Sequence, residues 1–319
     1  MSLKNGILLG AKFLFSGALI WYFLNKTDLG ATAAQFQNLD PLATGSAIAL
    51  IMVQILVVSV RWTHLLRAIA INLPYRPILR VIVIANFFNA TLISSVGGDA
   101  VRLWLLTRFG IHFGKAVNGI LLDRIAGLFG LLILMALGLP LLMEIMANNP
   151  ARWGFPLLLI AALIGLGALL AADKLPSALS HWRAVRGLAT LAADSRTIVL
   201  TPRNLLPIGG QSVLVHLLAI TAIYVLARDL DIEIGFVTCL VLIPPVILAM
   251  TLPISIAGWG VREGAMIAAL ALVGVSQEQA LVLSVVFGLC STIVGLMGGV
   301  VWLFSRNRAI PNVSDKGSQ

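Results

Sequence analysis

Of the 319 residues, 59% are hydrophobic and only 11% are charged, which excludes a water-soluble globule and leaves the bilayer as the solvent. The net charge is +9, but the basic residues fall in short loops between apolar segments rather than on a polar face, so they read as orientation signals and not as a nucleic-acid surface. Several apolar segments of the length needed to cross a bilayer leave no room for a separate soluble catalytic domain.

Taken in chain order, the basic, apolar start MSLKNGILLGAKFLF reads as an uncleaved signal anchor, because Lys12 interrupts the stretch and Lys26 precedes the small-residue site Ala31-Thr32-Ala33. Six stretches are long enough to span: 7–24, 42–60, 118–143, 154–172, 205–227 and 280–303. Two more, 78–112 and 236–273, are apolar at both ends and broken in the middle by SSVGGDAVR and LPISIAGWGVRE, so each is expected to form a re-entrant hairpin of half-helices. Cys239 and Cys290 sit inside apolar segments and read as packing residues.

Loop charge supports the hairpins. With the N-terminus cytoplasmic, Arg61, Arg67, Arg76 and Arg80 fall inside; one crossing over 78–112 exports the basic loop 173–204, whereas a hairpin keeps it cytoplasmic with the C-terminal Arg306 and Arg308. TLISSVGGDAVR at 91–102 also aligns without gaps on TLPISIAGWGVR at 251–262. The expected fold is therefore an all-α polytopic inner-membrane protein with six spanning helices and two broken-helix hairpins. It is arranged as an inverted repeat of residues 1–150 and 151–305, followed by a polar tail at 306–319.

Irregular backbone at membrane depth must be buried in protein or line a wet cavity, so the two breaks are expected to face one. Gly97, Gly98, Gly258 and Gly260 permit tight reversals there, and the helices that follow present free N–H groups suited to phosphate or carboxylate. Asp99 and Arg102 lie three apart on one helical face, and Arg262 adjoins Glu263. Ionised groups at bilayer depth cost roughly 2.5–3.5 kcal/mol each on insertion scales, so they are paired, wet or functional. Arg102 and Arg262 are expected to grip a headgroup phosphate, with Asp99 and Glu263 holding those guanidinium groups or exchanging protons. The plain alternative is that the pairs merely satisfy each other.

Asp123 and Arg124 open the third span and point in different directions. They either reach the hairpins or sit at headgroup depth. Asn86 and Asn89 either line the path or, as the plainer reading, bridge helices, while Arg61 with Trp62 and Trp302 with Arg306 read as interfacial anchors and His216 as a hydrogen-bonded packing residue. The stretch 174–200 is either an amphipathic surface helix or a solvated linker.

At SSVGGDAVR, LLDRIAGL and PISIAGWGVRE the sequence resembles the flippase-like transmembrane family that includes the membrane domain of lysylphosphatidylglycerol synthase, also called the multiple peptide resistance factor. The resemblance covers nearly the whole chain. It implies a lipid-translocating domain, which in bifunctional members moves a product made by a separate aminoacyl-transferring domain. That domain is not expected here, since the chain ends soon after its last span, and lysine transfer is not carried over. Family members commonly place a proline before the first Gly-Gly-Asp, where this chain has Ser94, Ser95 and Val96; Pro253 and the run Gly260 to Glu263 match better.

The function expected is movement of an anionic phospholipid, or another phosphate-bearing lipid, across the inner membrane, with membrane lipid as partner, no nucleic acid, no cofactor and no metal. A homo-oligomer or a lipid-synthesis partner is compatible with it. No Gly-x-x-x-x-Gly-Lys-Ser/Thr occurs, so ATP hydrolysis is not its direct drive. The alternatives are an integral-membrane enzyme transferring a group to or from a lipid phosphate, using Asp99, Asp123 or Glu263, and a non-transporting scaffold subunit.

Overall fold

A computed structural model describes residues 39–91, 97–147, 149–174, 183–251 and 260–305. The described residues are all-helical: α1 Pro41–Ala68, α2 Tyr75–Thr91, α3 Gly97–Arg108, α4 Phe113–Ile145, α5 Gly154–Leu170, α6 Arg183–Leu200, α7 Pro202–Asp229, α8 Phe236–Thr251, α9 Val261–Ala271 and α10 Gln277–Ser305. Single 3-10 turns at Pro150–Trp153 and Ala172–Lys174 flank α5.

Helix starts are written in the local sequence. Asp40 precedes Pro41 and accepts a hydrogen bond from the Leu42 N–H at 2.9 Å, so α1 opens on a capped turn with proline in its first position. His112 plays the same part for α4 through Nδ1 and the Gly114 N–H at 3.3 Å. Pro202 starts α7.

Length divides the helices into two kinds. α1, α4, α7 and α10 are long and apolar enough to cross a membrane. α3 and α9, with 12 and 11 residues, extend only about 16–18 Å at 1.5 Å per residue, well short of roughly 30 Å of hydrocarbon. α3 packs on α2 and α9 on α8, so each broken segment is a pair of short helices. Of the expected breaks, 97–102 begins α3 and 260–263 begins α9, while 92–96, 252–259 and the expected span 7–24 lie outside the described residues. α5, at the expected span 154–172, has 17 residues and is shorter than the four long helices.

α1 packs along α7, and α10 along α2. When α1 is exchanged with α7, α2 with α8, α3 with α9 and α4 with α10, each substantial packed pair among these eight helices maps onto another such pair. α6 stands outside this scheme. It packs on α4, α5 and α7 with Leu191, Ala192 and Ile198 buried, so 183–200 is a helix, while 175–182 lies outside the described residues.

Between apolar helices in lipid, packing replaces the hydrophobic effect as the cohesive force, and small residues allow the backbones to approach. Along α10, a β-carbon at Gly298 would stand 2.1 Å from the Val83 carbonyl oxygen, and one at Gly299 would meet the Phe87 ring at 2.7 Å. At Gly130 of α4 it would meet the backbone of Ser212 in α7 at 2.6 Å. The outer faces are apolar: Leu289, Ile293, Leu296, Met297 and Val300 are exposed at three- and four-residue spacing along α10, as are Leu157, Ile160, Leu163 and Ile164 on α5. Cys239 and Cys290 are free and buried, as packing residues should be.

Gly298→Ala is expected to destabilise the protein by about 1–3 kcal/mol through overpacking against a backbone atom. Gly45→Ala, where nothing lies within 4 Å of the added methyl, should be neutral or stabilising by up to about 1 kcal/mol. Thermal unfolding in one detergent ranks the two.

Candidate functional site

The first broken pair is fastened by a side chain. Asn89, near the end of α2, accepts the Gly98 N–H through Oδ1 at 2.9 Å and so caps the first turn of α3 from outside. Position 98 has to be glycine, because a β-carbon there would lie 2.5 Å from both the Ala85 carbonyl and Asn89 Oδ1. This tight contact fixes the start of α3, and one turn on it aims Arg102 at α4.

Arg102 is 6% exposed and meets a buried carboxylate. Its Nη2 donates to Asp123 Oδ2 at 2.8 Å, while Arg61 of α1 reaches Asp123 Oδ1 through Nε at 3.1 Å and Nη2 at 2.9 Å. One carboxylate therefore holds two guanidinium groups from two different helices. Arg61 also donates to Ser212 of α7 at 3.4 Å, and the Trp62 ring lies under the Arg102 guanidinium at 4.0 Å, its own Nε1 donating to the Gly119 carbonyl at 3.1 Å. α1, α3, α4 and α7 converge here.

A second layer lies nearer the surface. Arg124 donates to Asp99 Oδ2 from Nη2 at 2.6 Å and from Nε at 2.9 Å, and Arg102 Nη1 reaches Asp99 Oδ1 at 3.4 Å. Arg124 is 42% exposed at its side chain against 17% for Asp99, so this pair faces outward. His216 of α7 donates from Nε2 to the Gly127 carbonyl at 2.8 Å, which assigns the proton to that nitrogen because a carbonyl only accepts.

These groups line a cavity of about 350 Å³ whose wall includes Arg61, Asn89, Asp99, Arg102, Asp123, Arg124 and His216, with Gly127 and Thr251. Three guanidinium groups face two carboxylates there, so the cavity carries a net positive charge. Arg102 Nε is buried and has no hydrogen-bond partner among the described residues, a donor that burial normally makes costly by about 1–3 kcal/mol.

The second broken pair is built differently. Gly260 has φ +86°, a left-handed conformation that glycine adopts without strain, and it starts α9. Glu263 reaches back to the Gly260 N–H through Oε2, and its Oε1 accepts from Arg262 Nη2 at 2.6 Å and Nε at 3.1 Å. Ser284 of α10 joins through an Arg262 Nε contact at 3.1 Å. Arg262 and Glu263 are 4% and 3% exposed, and Gly288 leaves the space the guanidinium fills, since a β-carbon there would stand 2.1 Å from Arg262 Nη2.

Of the expected site residues, the structure gathers Asp99, Arg102, Asp123 and Arg124 around one cavity, with Gly97 and Gly98 at the start of α3. Gly260, Arg262 and Glu263 form a separate buried cluster against α10, and Gly258 lies outside the described residues. Arg61 and Trp62, expected as an interfacial anchor, are instead buried at 5% and 0% exposure. The physical reason is that α1 continues to Ala68, so Arg61 lies within the helix and finds its counter-charge in Asp123. Asp123 lies well inside α4, which starts at Phe113 rather than 118, and of its two expected places the structure shows the one at the broken pair, through Arg102. Arg61 is the site residue that sequence reasoning missed. Its signal was an arginine spaced among Ser59, Thr63 and Trp62 on a helix with no turn residue to end it.

Asp123→Asn is expected to cost about 3–5 kcal/mol, because two arginines are left buried without their shared counter-charge. Arg124→Gln, on the exposed rim, should cost no more than about 1 kcal/mol. Denaturant unfolding in detergent distinguishes the two sites.

Comparison with curated proteins gives no match. The family model described as the lysylphosphatidylglycerol synthase TM region matches residues 9–299, nearly the whole length. With its long apolar helices, the chain is a multi-pass membrane protein that belongs to this family.

Proposed function

We propose that this chain is a lipid transporter of the inner membrane that binds the phosphate of an anionic headgroup in the cavity between α1, α3, α4 and α7 and moves it across the bilayer. The observation that carries the reading is the excess of guanidinium over carboxylate around an open cavity of about 350 Å³. A net positive charge among apolar helices is expensive unless an anion or water completes it, and guanidinium forks match phosphate oxygens. Arg102 and Arg124 contact the phosphate, Arg61 and Asp123 hold Arg102 in position, and Asp99 releases Arg124 as the ligand enters. The acyl chains stay against the exposed apolar helix faces.

The exchange symmetry of the helix contacts supports a repeat of 1–150 and 151–305. In the proposed arrangement the repeat is inverted, the pairs α2–α3 and α8–α9 are re-entrant hairpins and both termini are cytoplasmic. In this scheme Arg262, Glu263 and Gly260 serve as the lock of the second hairpin on α10. Their packing into the space left by Gly288 favours that role over direct headgroup contact. An enzymatic reading finds less support, because both carboxylates of the cavity already accept hydrogen bonds from arginine and neither stands ready as a base.

In proteoliposomes with fluorescent lipids, the wild type should move phosphatidic acid or phosphatidylglycerol faster than phosphatidylcholine. Arg102→Gln with Arg124→Gln should lower anionic-lipid movement at least about tenfold, the loss expected for two charge-assisted contacts. Equal movement of all three lipids, or an undiminished double variant, removes this reading.

A further inference from the structure

A second cavity of about 260 Å³ adjoins the first, and the two share Asn89 and Arg102 in their walls. Its other polar lining is Gln54 of α1, Asn86 of α2 and Ser291 of α10. Apart from the shared Arg102, the described lining carries no ionisable side chain. The two chambers therefore differ in chemistry on either side of one arginine: guanidinium and carboxylate in the first, amide and hydroxyl in the second.

The hydrogen-bonding capacity left in the second chamber is mixed. Gln54 uses its Nε2 on the Val215 carbonyl at 3.1 Å, which leaves its amide oxygen as an acceptor. Asn89 spends Oδ1 on the Gly98 N–H and keeps its NH₂ as a donor. Ser291 donates to the Phe287 carbonyl at 2.9 Å and keeps its acceptor lone pairs. Asn86 offers both a donor and an acceptor group. Hydroxyl groups, which both donate and accept, match such a lining. An ammonium group finds no carboxylate there, and a second phosphate finds no cation beyond the one already engaged with the first.

Resting on the anion-binding reading above, we infer that the second chamber takes an uncharged, hydroxyl-bearing extension of the headgroup, so that the ligand is a phosphodiester carrying a polyol or sugar. Arg102 stands at the junction and contacts the phosphate from which the extension departs. The ligand class is thereby narrowed from any phosphate-bearing lipid to one whose phosphate is substituted with hydroxyls rather than with an amine.

The test is a binding comparison on the full-length protein in nanodiscs with three short-chain lipids: phosphatidic acid, phosphatidylglycerol and phosphatidylethanolamine. Phosphatidylglycerol should bind about three- to tenfold more tightly than phosphatidic acid, the gain expected from one or two added hydrogen bonds. Phosphatidylethanolamine should gain nothing. In Asn86→Leu with Ser291→Ala, the preference for the glycerol headgroup should vanish while phosphatidic acid binds as in the wild type, which also shows that the variant is folded. Soluble glycerol phosphate, added as competitor, separates a lipid source from a soluble one: displacement at equal concentration assigns the site to the soluble compound, and displacement only in large excess assigns it to the lipid. Equal affinities for the glycerol-bearing and bare phosphates, or a preference that survives in the variant, overturn the two-chamber inference alone. Absence of binding by all three overturns the anion reading together with it.

Discussion

The Asp123 carboxylate is the constraint around which the first half of the molecule is arranged. It takes Arg61 from α1 on one oxygen and Arg102 from α3 on the other, and it belongs to α4. A single buried charge thus ties three helices that also share one apolar core of Trp62, Leu66, Leu106 and Leu122. In a low-dielectric setting, removing one member of such a triad strands the others, so geometry and charge are fixed together. The same tie leaves an excess of positive charge facing the cavity, and the anion proposal rests on that excess.

Glycines make the tie possible by setting where backbones touch. Gly98 lets the start of α3 press on α2 and be capped by Asn89, so Arg102 is presented at the right height. Gly130 brings α4 against Ser212 of α7, and Ser212 in turn receives Arg61. On the opposite side Gly288 makes room for Arg262, so the two hairpin arginines are both buried but in different company. One meets a carboxylate on the following long helix; the other carries its carboxylate beside it and meets Ser284. The first arginine therefore lines the charged cavity, whereas the second is enclosed against α10.

The membrane class, the four long helices, the two broken segments and the Asp99–Arg102 pair were legible in the sequence. Each follows from a short-range pattern: apolar runs, Gly-rich breaks and three-residue spacing. Arg61 was not legible as a site residue, and Asp123 was left open between reaching the hairpins and sitting at headgroup depth. The span 42–60 was ended at its first charge, whereas α1 runs to Ala68 and carries Arg61 inward, and the partners of Asp123 sit on other helices far away in sequence. Hydropathy treats each charge as a cost, but a pair 62 residues apart in sequence cancels that cost in space. The separation of Arg262 from the cavity was hidden as well, because the matched arginines of the two breaks suggest one shared ligand while their partners differ.

The central claim, that the cavity is a positively charged site open to an anion, is tested most directly by the sign of the field inside it. Thr251 lines the cavity at the exposed end of α8, and a cysteine placed there in a background with Cys239 and Cys290 replaced by alanine reports that field through its reaction rate. Relative to a free thiol, Thr251→Cys should react faster with an anionic methanethiosulfonate than with a cationic one, and anionic lipid should protect it. Faster reaction with the cationic reagent, or no protection by anionic lipid, contradicts the account.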